Sequence, residues 1–309
     1  MVITLYQPHS FCQLGTRQNQ EDCRLPDNDS PSDSQFFYAV CDGVGGAADG
    51  EVASHSVCQS LHEALCDTDW GKPFTTDDFQ QALTMVYDNL DTMARQTGNY
   101  DMATTLAFVC FHGSGFLAAH IGDSRVYQIR PDTGIVYRSS DHSQANSLVH
   151  AGVVSPDAGG DSSVITRYLE PTSDDQPRCL ATVLQSDDIR ADDYFLLCSD
   201  GVTACIDDDT LTAIISLGSN DAEKCSKIAS LCRQSSDNNT AYLIHVADVT
   251  LNDSATGQSP ETDGDGDDYT EHVTKRSQRP LPQSVDVEAD APEVPLTTSI
   301  FNFIRNIFN

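Results

Sequence analysis

Five aspartate-bearing segments hold the chemistry of this 309-residue chain. In chain order they are Arg17-Gln18-Asn19-Gln20-Glu21-Asp22, Phe37-Tyr38-Ala39-Val40-Cys41-Asp42-Gly43-Val44-Gly45-Gly46, Gly122-Asp123-Ser124-Arg125, Leu196-Leu197-Cys198-Ser199-Asp200-Gly201 and Asp237-Asn238-Asn239-Thr240. Each of them places an aspartate where a strand is expected to meet a tight turn. A strand fixes such a carboxylate, and a following glycine lets a backbone carbonyl or a hydrated ion approach closely. Carboxylates that converge without basic neighbours repel one another unless a cation sits among them. Hard oxygen donors of this kind suit Mg²⁺ or Mn²⁺ rather than zinc or copper. Singly, each segment also has a plain reading. Asp42-Gly43 and Asp200-Gly201 are common turn pairs, and Asp237-Asn238 also serves as a helix-to-strand connection. Five such segments in one chain make the plain reading hard to sustain for all of them.

Short β-branched and aromatic runs predict the strands that would carry these groups, over Phe36–Cys41, Thr104–Cys110, Gly115–Ile121, Arg125–Ile129, Tyr194–Cys198 and Ala241–Val246. Helical periodicity appears in Glu51–Leu65, through Val57, Leu61, Ala64 and Leu65, and in Asp77–Arg95, through Phe79, Leu83, Val86 and Leu90. The second begins at Thr76-Asp77-Asp78, an N-cap with acid in its first turn. Further helices are expected over Asp208–Leu217 and Asp221–Arg233. Gly113-Ser114-Gly115 is too short for a crossover helix and implies a hairpin, and Gly122-Asp123-Ser124 joins the next two strands as tightly. The expectation is an antiparallel meander with helices grouped before and after it, an α+β fold rather than a doubly wound parallel one.

Composition bounds the rest. The net charge of −30 disfavours nucleic acid and anionic lipid as partners. Solubility, a salty interior and cation binding each account for such a balance. The eleven cysteines include no C-x-x-C pair and sit singly in apolar runs, which reads as small core residues in a reducing compartment. The N-terminus lacks the basic start and apolar run of a signal peptide, and no stretch approaches 18 consecutive apolar residues, so a cytoplasmic protein without a transmembrane segment is expected. Aliphatic and aromatic runs thin out near residue 247. Residues 1–247 are therefore read as one catalytic domain and 248–297 as an acidic disordered tail, with 298–309 a short amphipathic aromatic segment able to dock on its own domain or a partner. Asp263-Gly264-Asp265-Gly266-Asp267-Asp268 fails as a calcium loop because no glutamate stands at loop position twelve, and it reads as a solvated charge run.

Taken in order, the five segments resemble the signature series of the protein phosphatase 2C-like (PPM) metal-dependent phosphatases, especially the compact bacterial type. The resemblance spans about Gly15 to Val246, and is supported by Ala103-Thr104-Thr105-Leu106, Ser140-Asp141-His142-Ser143 and Ile165-Thr166-Arg167. It implies a β-sandwich of two antiparallel sheets flanked by helices, in α-β-β-α layers, with the metals at one end. It implies hydrolysis of phosphoserine or phosphothreonine on proteins by a water bridging two Mn²⁺ or Mg²⁺ ions, a weaker third ion being a further option. Asp42 would bridge the two ions with the Gly43 carbonyl on one of them, and Asp200 and Asp237 would complete the other shell. Glu21 and Asp22 would hold metal-bound waters, Asp123 would serve the third ion, and Arg17 would grip the phosphoryl oxygens. His142 is read as structural, and no cysteine is needed as nucleophile. The implied partners are phosphorylated proteins, namely a bacterial Ser/Thr kinase or its targets. Gln20, Val44, Ala204 and Glu170 depart from the family pattern. Ala204 weakens the third-metal site, Val44 leaves leaving-group protonation to water, and Glu170 implies an altered neighbouring flap. The competing reading is a weakly active, phosphatase-like docking module.

Overall fold

The computed structural model describes residues 1–44, 49–150, 164–172 and 177–251. Its strands form two sheets in which every pairing is antiparallel. The first contains β3 (Asp22–Leu25), β4 (Phe37–Asp42), β5 (Leu106–His112), β6 (Gly115–Ile121) and β9 (Thr182–Ser186), in that spatial order. The second runs β1 (Val2–Leu5), β11 (Asn239–Thr250), β10 (Tyr194–Cys198), β7 (Arg125–Arg130), β8 (Gly134–Arg138), and β2 (His9–Gln13) also pairs with β11. The helices are α1 (Gly50–Leu65), α2 (Thr76–Thr97), α3 (Gln144–His150), α4 (Asp200–Thr203), α5 (Asp208–Ile215) and α6 (Asp221–Cys232).

The layering follows from the two-residue period of the strands. On β4 and β5, Phe37, Ala39, Cys41, Leu106, Phe108 and Cys110 pack towards α1 and α2, meeting Val57, Leu61, Phe79 and Leu83. The alternate residues Tyr38, Val40, Ala107, Val109 and Phe111 turn inward and meet Phe195, Leu197, Tyr242 and Ile244 of the other sheet. The opposite face of that second sheet, with Tyr127, Leu196 and Leu243, is covered by Leu211, Ile214 and Ile228 of α5 and α6. Strands buried on both faces explain the near-continuous apolar runs in the sequence, and the result is the expected α-β-β-α sandwich.

One topological expectation is corrected. Strands β5 and β6 form the hairpin through Gly113-Ser114, but the meander stops there. At Gly122-Asp123-Ser124 the chain leaves the first sheet and enters the second, where β7 pairs with β10 and β8. The remaining edge of β6 is occupied by β9, and Gly122 takes a φ of 96° that favours glycine. Ser124 Oγ, 2.6 Å from Thr105 Oγ1, ties the crossing back to β5. Other shifts are smaller. The α2 cap is Thr75, whose hydroxyl accepts from Asp78 N while the Asp78 carboxylate accepts from Thr75 N. Strand β11 continues past residue 247 to Thr250, because β1 pairs with Val246 through Thr250. The acidic tail expected over 248–297, past residue 251, and the aromatic end expected over 298–309 lie outside the described residues. No helix among the described residues is long and apolar enough to cross a membrane.

Candidate active site

The antiparallel register of β3 and β4 sets Asp22 directly opposite Asp42, so two carboxylates share one end of the first sheet. Both are held by main-chain and hydroxyl contacts. The Asp42 amide donates to Thr105 Oγ1 at 3.0 Å, and its carbonyl accepts from Thr104 Oγ1 at 2.8 Å and from the Thr105 amide at 2.8 Å. The Gly43 amide donates to the Glu21 carbonyl at 3.1 Å. A β-carbon on Gly43 would stand 2.5 Å from the Gly50 backbone and 2.8 Å from the Glu21 oxygen. The glycine therefore lets the start of α1, the Glu21 backbone and the Asp42 turn meet, and no side chain fits there.

The second sheet brings the other acids to the same end. Ser199, fully buried at the end of β10, donates to Asp22 Oδ2 at 2.8 Å and accepts from the Thr240 amide at 3.0 Å. It links the two sheets through one of the candidate carboxylates. Asp200 opens α4 and Asp237 precedes β11, and the two turns touch: a β-carbon on Gly201 would lie 1.9 Å from the Asn238 carbonyl. Arg17 Nη2 pairs with Asp237 Oδ2 at 2.7 Å, at the solvent edge. Asn238 fastens the segment carrying Arg17 and Glu21. Its Nδ2 donates to the carbonyls of Leu14 (2.9 Å) and Asn19 (3.0 Å), and its Oδ1 accepts from the Glu21 amide (2.8 Å).

This clustering has an electrostatic signature. Burial, reinforced by Asp22, Asp200, Asp123 and Asp237, pushes the Asp42 carboxyl well above the usual carboxylate range. Burial raises Asp22 to about 7 against the hydrogen bonds it accepts, with Asp200 and Asp237 adding to the rise. Asp123 is lifted to about 7 by burial and then by Asp200 and Asp141, and Asp200 is raised by burial and by Asp237. Asp22 Oδ1 and Asp200 Oδ1 are buried with no hydrogen-bond donor. Oxygens without donors, on acids that repel one another, are what a cation would satisfy, so the residues present fit divalent metal. Among the described residues no three acidic, thiol or imidazole groups already close around one point. A cation here would therefore draw on water and backbone carbonyls as well.

All the aspartates named from the sequence thus fall into one mutually interacting set, with Arg17, Glu21 and Gly43 beside them. His142 lies outside it. Its Nδ1 accepts from the Gly122 amide at 3.1 Å, its Nε2 is 2.9 Å from Thr182 Oγ1, and it stacks on His120 at 4.4 Å. Burial holds its imidazole near 3, in the neutral form a structural histidine needs. The sequence reading missed the groups that aim the acids: Ser199, Thr105, Ser124 and the side chain of Asn238. It also missed the fork in which Arg125 Nε and Nη2 meet the two oxygens of Asp141 at 2.7 and 2.6 Å. Ser199 and Asn238 each adjoin a named aspartate, and that adjacency was the available signal.

The family model described as Protein phosphatase 2C matches residues 18–231. The chain belongs to the protein phosphatase 2C family. Its relatives include protein phosphatase PhpP of Streptococcus pneumoniae, 29% identical over 220 residues that cover 69% of this chain and 85% of PhpP. Serine/threonine protein phosphatase PstP of Mycobacterium tuberculosis is 28% identical over 258 residues, 80% of this chain but 47% of PstP. The crystal structure of the PstP catalytic domain in complex with 2 manganese ions superposes with a TM-score of 0.65 at 25% identity, covering 80% of this chain and 100% of that domain. This protein phosphatase 2C member is accordingly a protein serine/threonine phosphatase. The family match ends before Asp237, whose place in the site rests on the geometry above.

Proposed function

We propose that this phosphatase works through the Asp42 cluster, whose acids would hold two divalent cations, Mn²⁺ or Mg²⁺. The observation that carries the reading is the convergence of Asp22, Asp42, Asp123, Asp200 and Asp237, the first four of them raised in pKa and two of those, Asp22 and Asp200, with a donorless oxygen. Asp42 and the Gly43 carbonyl would hold one ion, Asp42 with Asp200 and Asp237 the other, and Asp22 and Glu21 would order the surrounding waters. When bound, the ions supply Lewis acidity that makes a water nucleophilic near neutral pH and offsets charge building on the phosphoryl group. Asp123 stands ready for a weaker third ion, with Ala204 offering no carboxylate to help it.

The chain's own residues do the positioning. Arg17, half-exposed and paired with Asp237, is placed to exchange that partner for phosphoryl oxygens, which a planar guanidinium binds in pairs. Ser199 keeps Asp22 aimed from the second sheet, and Thr104 and Thr105 lock the backbone of Asp42. None of the eleven cysteines enters the reaction. The substrates are phosphoproteins, and we assign them to a Ser/Thr kinase or its targets in a bacterial cytoplasm. The catalytic domain takes in β11 through Thr250, and the aromatic C-terminal segment is a candidate docking element.

The test is hydrolysis of a phosphothreonine peptide with Mn²⁺, Mg²⁺ or EDTA, comparing wild type with Asp42→Asn. Metal-dependent phosphate release lost in the variant is the expected result. Release that persists in EDTA, or in Asp42→Asn, would defeat the assignment.

A further inference from the structure

Asp91 is an anomaly on α2. Aspartate is a poor helix-interior residue, yet this one sits mid-helix between Leu90 and Ala94 and is 8% exposed. Burying a carboxylate is costly unless it is paired and hydrogen-bonded. Asp91 is both. Its Oδ1 accepts from the Thr172 amide at 2.7 Å, and both of its oxygens lie 3.3 Å from Thr172 Oγ1. Its Oδ2 accepts from Arg178 Nη2 at 2.8 Å. Arg178 also reaches Asp88 Oδ1 at 2.5 Å and lies 5.3 Å over the Tyr87 ring, while Tyr87 Oη donates to the Cys179 carbonyl at 2.8 Å. Three residues of α2 thus grip the chain at Thr172, Arg178 and Cys179.

What they hold borders the site. Residues 164–172 begin at a bridge between Ser143 and Ile165, with the Thr166 amide donating to the His142 carbonyl at 2.8 Å. They pass the Asp123 turn, where the Arg167 carbonyl lies 3.5 Å from the place a β-carbon on Gly122 would take. They then pair with β5's approach through Leu169 and Thr104, at 2.8 and 2.9 Å, and Thr104 is the residue that fixes the Asp42 carbonyl. The side chains of Thr166 and Arg167 along this rim are exposed. Asp91 is the far anchor of the rim, and His142 and Ser143 are the near one.

We propose that Asp91, clamped with Arg178, is a positioning residue that sets the 164–172 rim for polypeptide substrates. The inference rests on the phosphatase reading above. The Leu169–Thr104 bridge has its own two hydrogen bonds, so Asp42 keeps its support when Asp91 is removed. The outer rim loses its anchor, and only a substrate long enough to cross that rim registers the loss.

The experiment compares a phosphothreonine peptide with p-nitrophenyl phosphate, both with Mn²⁺, for wild type, Asp91→Ala, Asp91→Asn and Arg178→Gln. For Asp91→Ala the peptide KM should rise about fivefold or more, with kcat and the small-ester kinetics within about twofold of wild type. Asp91→Asn keeps an oxygen for the Thr172 amide and should recover part of the loss. Arg178→Gln, at a partly exposed site, keeps the test open if Asp91→Ala does not fold. An unchanged peptide KM, or a parallel fall on both substrates, overturns the proposal. A wild type that hydrolyses neither substrate instead sinks the phosphatase reading itself.

Discussion

Substituting Gly201 tests whether the contact between the Asp200 and Asp237 turns is what assembles the site. In Gly201→Ala the new carbon would stand 1.9 Å from the Asn238 carbonyl oxygen, where contacts under 3.0 Å essentially never occur. The two turns must part by roughly an ångström, and the obstacle is backbone, so no side-chain rotation relieves it. Overpacking of this kind costs about 1–3 kcal/mol of stability. The larger effect falls on function, because a misplacement of ~1 Å among reacting groups costs ~100-fold in rate. Gly218→Ala is the matched control, since a β-carbon there meets nothing within 4 Å. The assays are thermal unfolding in EDTA, Mn²⁺ binding by calorimetry and phosphopeptide turnover. Gly201→Ala should lose Mn²⁺ affinity and at least about tenfold in kcat/KM while remaining folded, and Gly218→Ala should match wild type. A Gly201→Ala protein with wild-type Mn²⁺ affinity and turnover would refute the argument that this close approach positions the carboxylates.

Two further outcomes follow from the same geometry. Asn238→Ala removes one acceptor and two donor contacts to the Leu14–Glu21 segment, and should cost about 2 kcal/mol in urea unfolding and raise the phosphopeptide KM through a displaced Arg17. In EDTA, the raised acids should make stability fall as pH rises from about 4 to about 7, against an opposite contribution from the buried neutral His142. Asp22 and Asp123 are raised to about 7 in the fold, so between the unfolded carboxylate range and that value the native state holds more protons than the unfolded chain. Saturating Mn²⁺ should flatten or reverse that slope. Thermal unfolding across the range, with and without Mn²⁺ and for Asp123→Asn beside wild type, reads both, and a metal-free slope that Asp123→Asn leaves unchanged would contradict the repulsion described.

The sequence made the acids legible and the devices that aim them much less so. Asp42 ends an apolar strand, Asp200 follows one by two residues, and both precede glycine, a local pattern that needs no tertiary knowledge. Strands β1, β2, β3, β8 and β9 escaped because their runs are short or mixed. Asp22-Cys23-Arg24-Leu25 alternates, with Cys23 and Leu25 in the core, but four residues are too few to mark a strand, and its pairing is imposed by β4. Ser199 and Thr105 escaped for a related reason. A serine or threonine at a strand end is unremarkable until the fold shows that its hydroxyl meets a carboxylate, as Ser199 meets Asp22, or a carboxylate's main chain, as Thr105 meets the Asp42 amide. Asp91 was hidden differently: periodicity reads α2 by its apolar residues, and a charged residue on the buried face is invisible to that signal until its partners are known.

The misread meander bears on why this fold gathers its acids at one end. Had Gly122-Asp123-Ser124 joined two neighbouring strands, Asp123 would sit at a sheet edge with its charge in solvent. Because the turn instead passes between sheets, Asp123 comes into range of Asp42 from the first sheet and Asp200 from the second. Ser199 makes the complementary link, reaching from β10 to Asp22 of β3. The acids are therefore shared between two layers whose interface is otherwise apolar, through Tyr38, Val109, Phe195 and Tyr242. Apolar packing brings the sheets together, and the same closure forces the carboxylates into mutual repulsion at one end. On the proposal above, a cation bound there would relieve that repulsion, and the energy stored by packing would become affinity for metal rather than a defect of the fold.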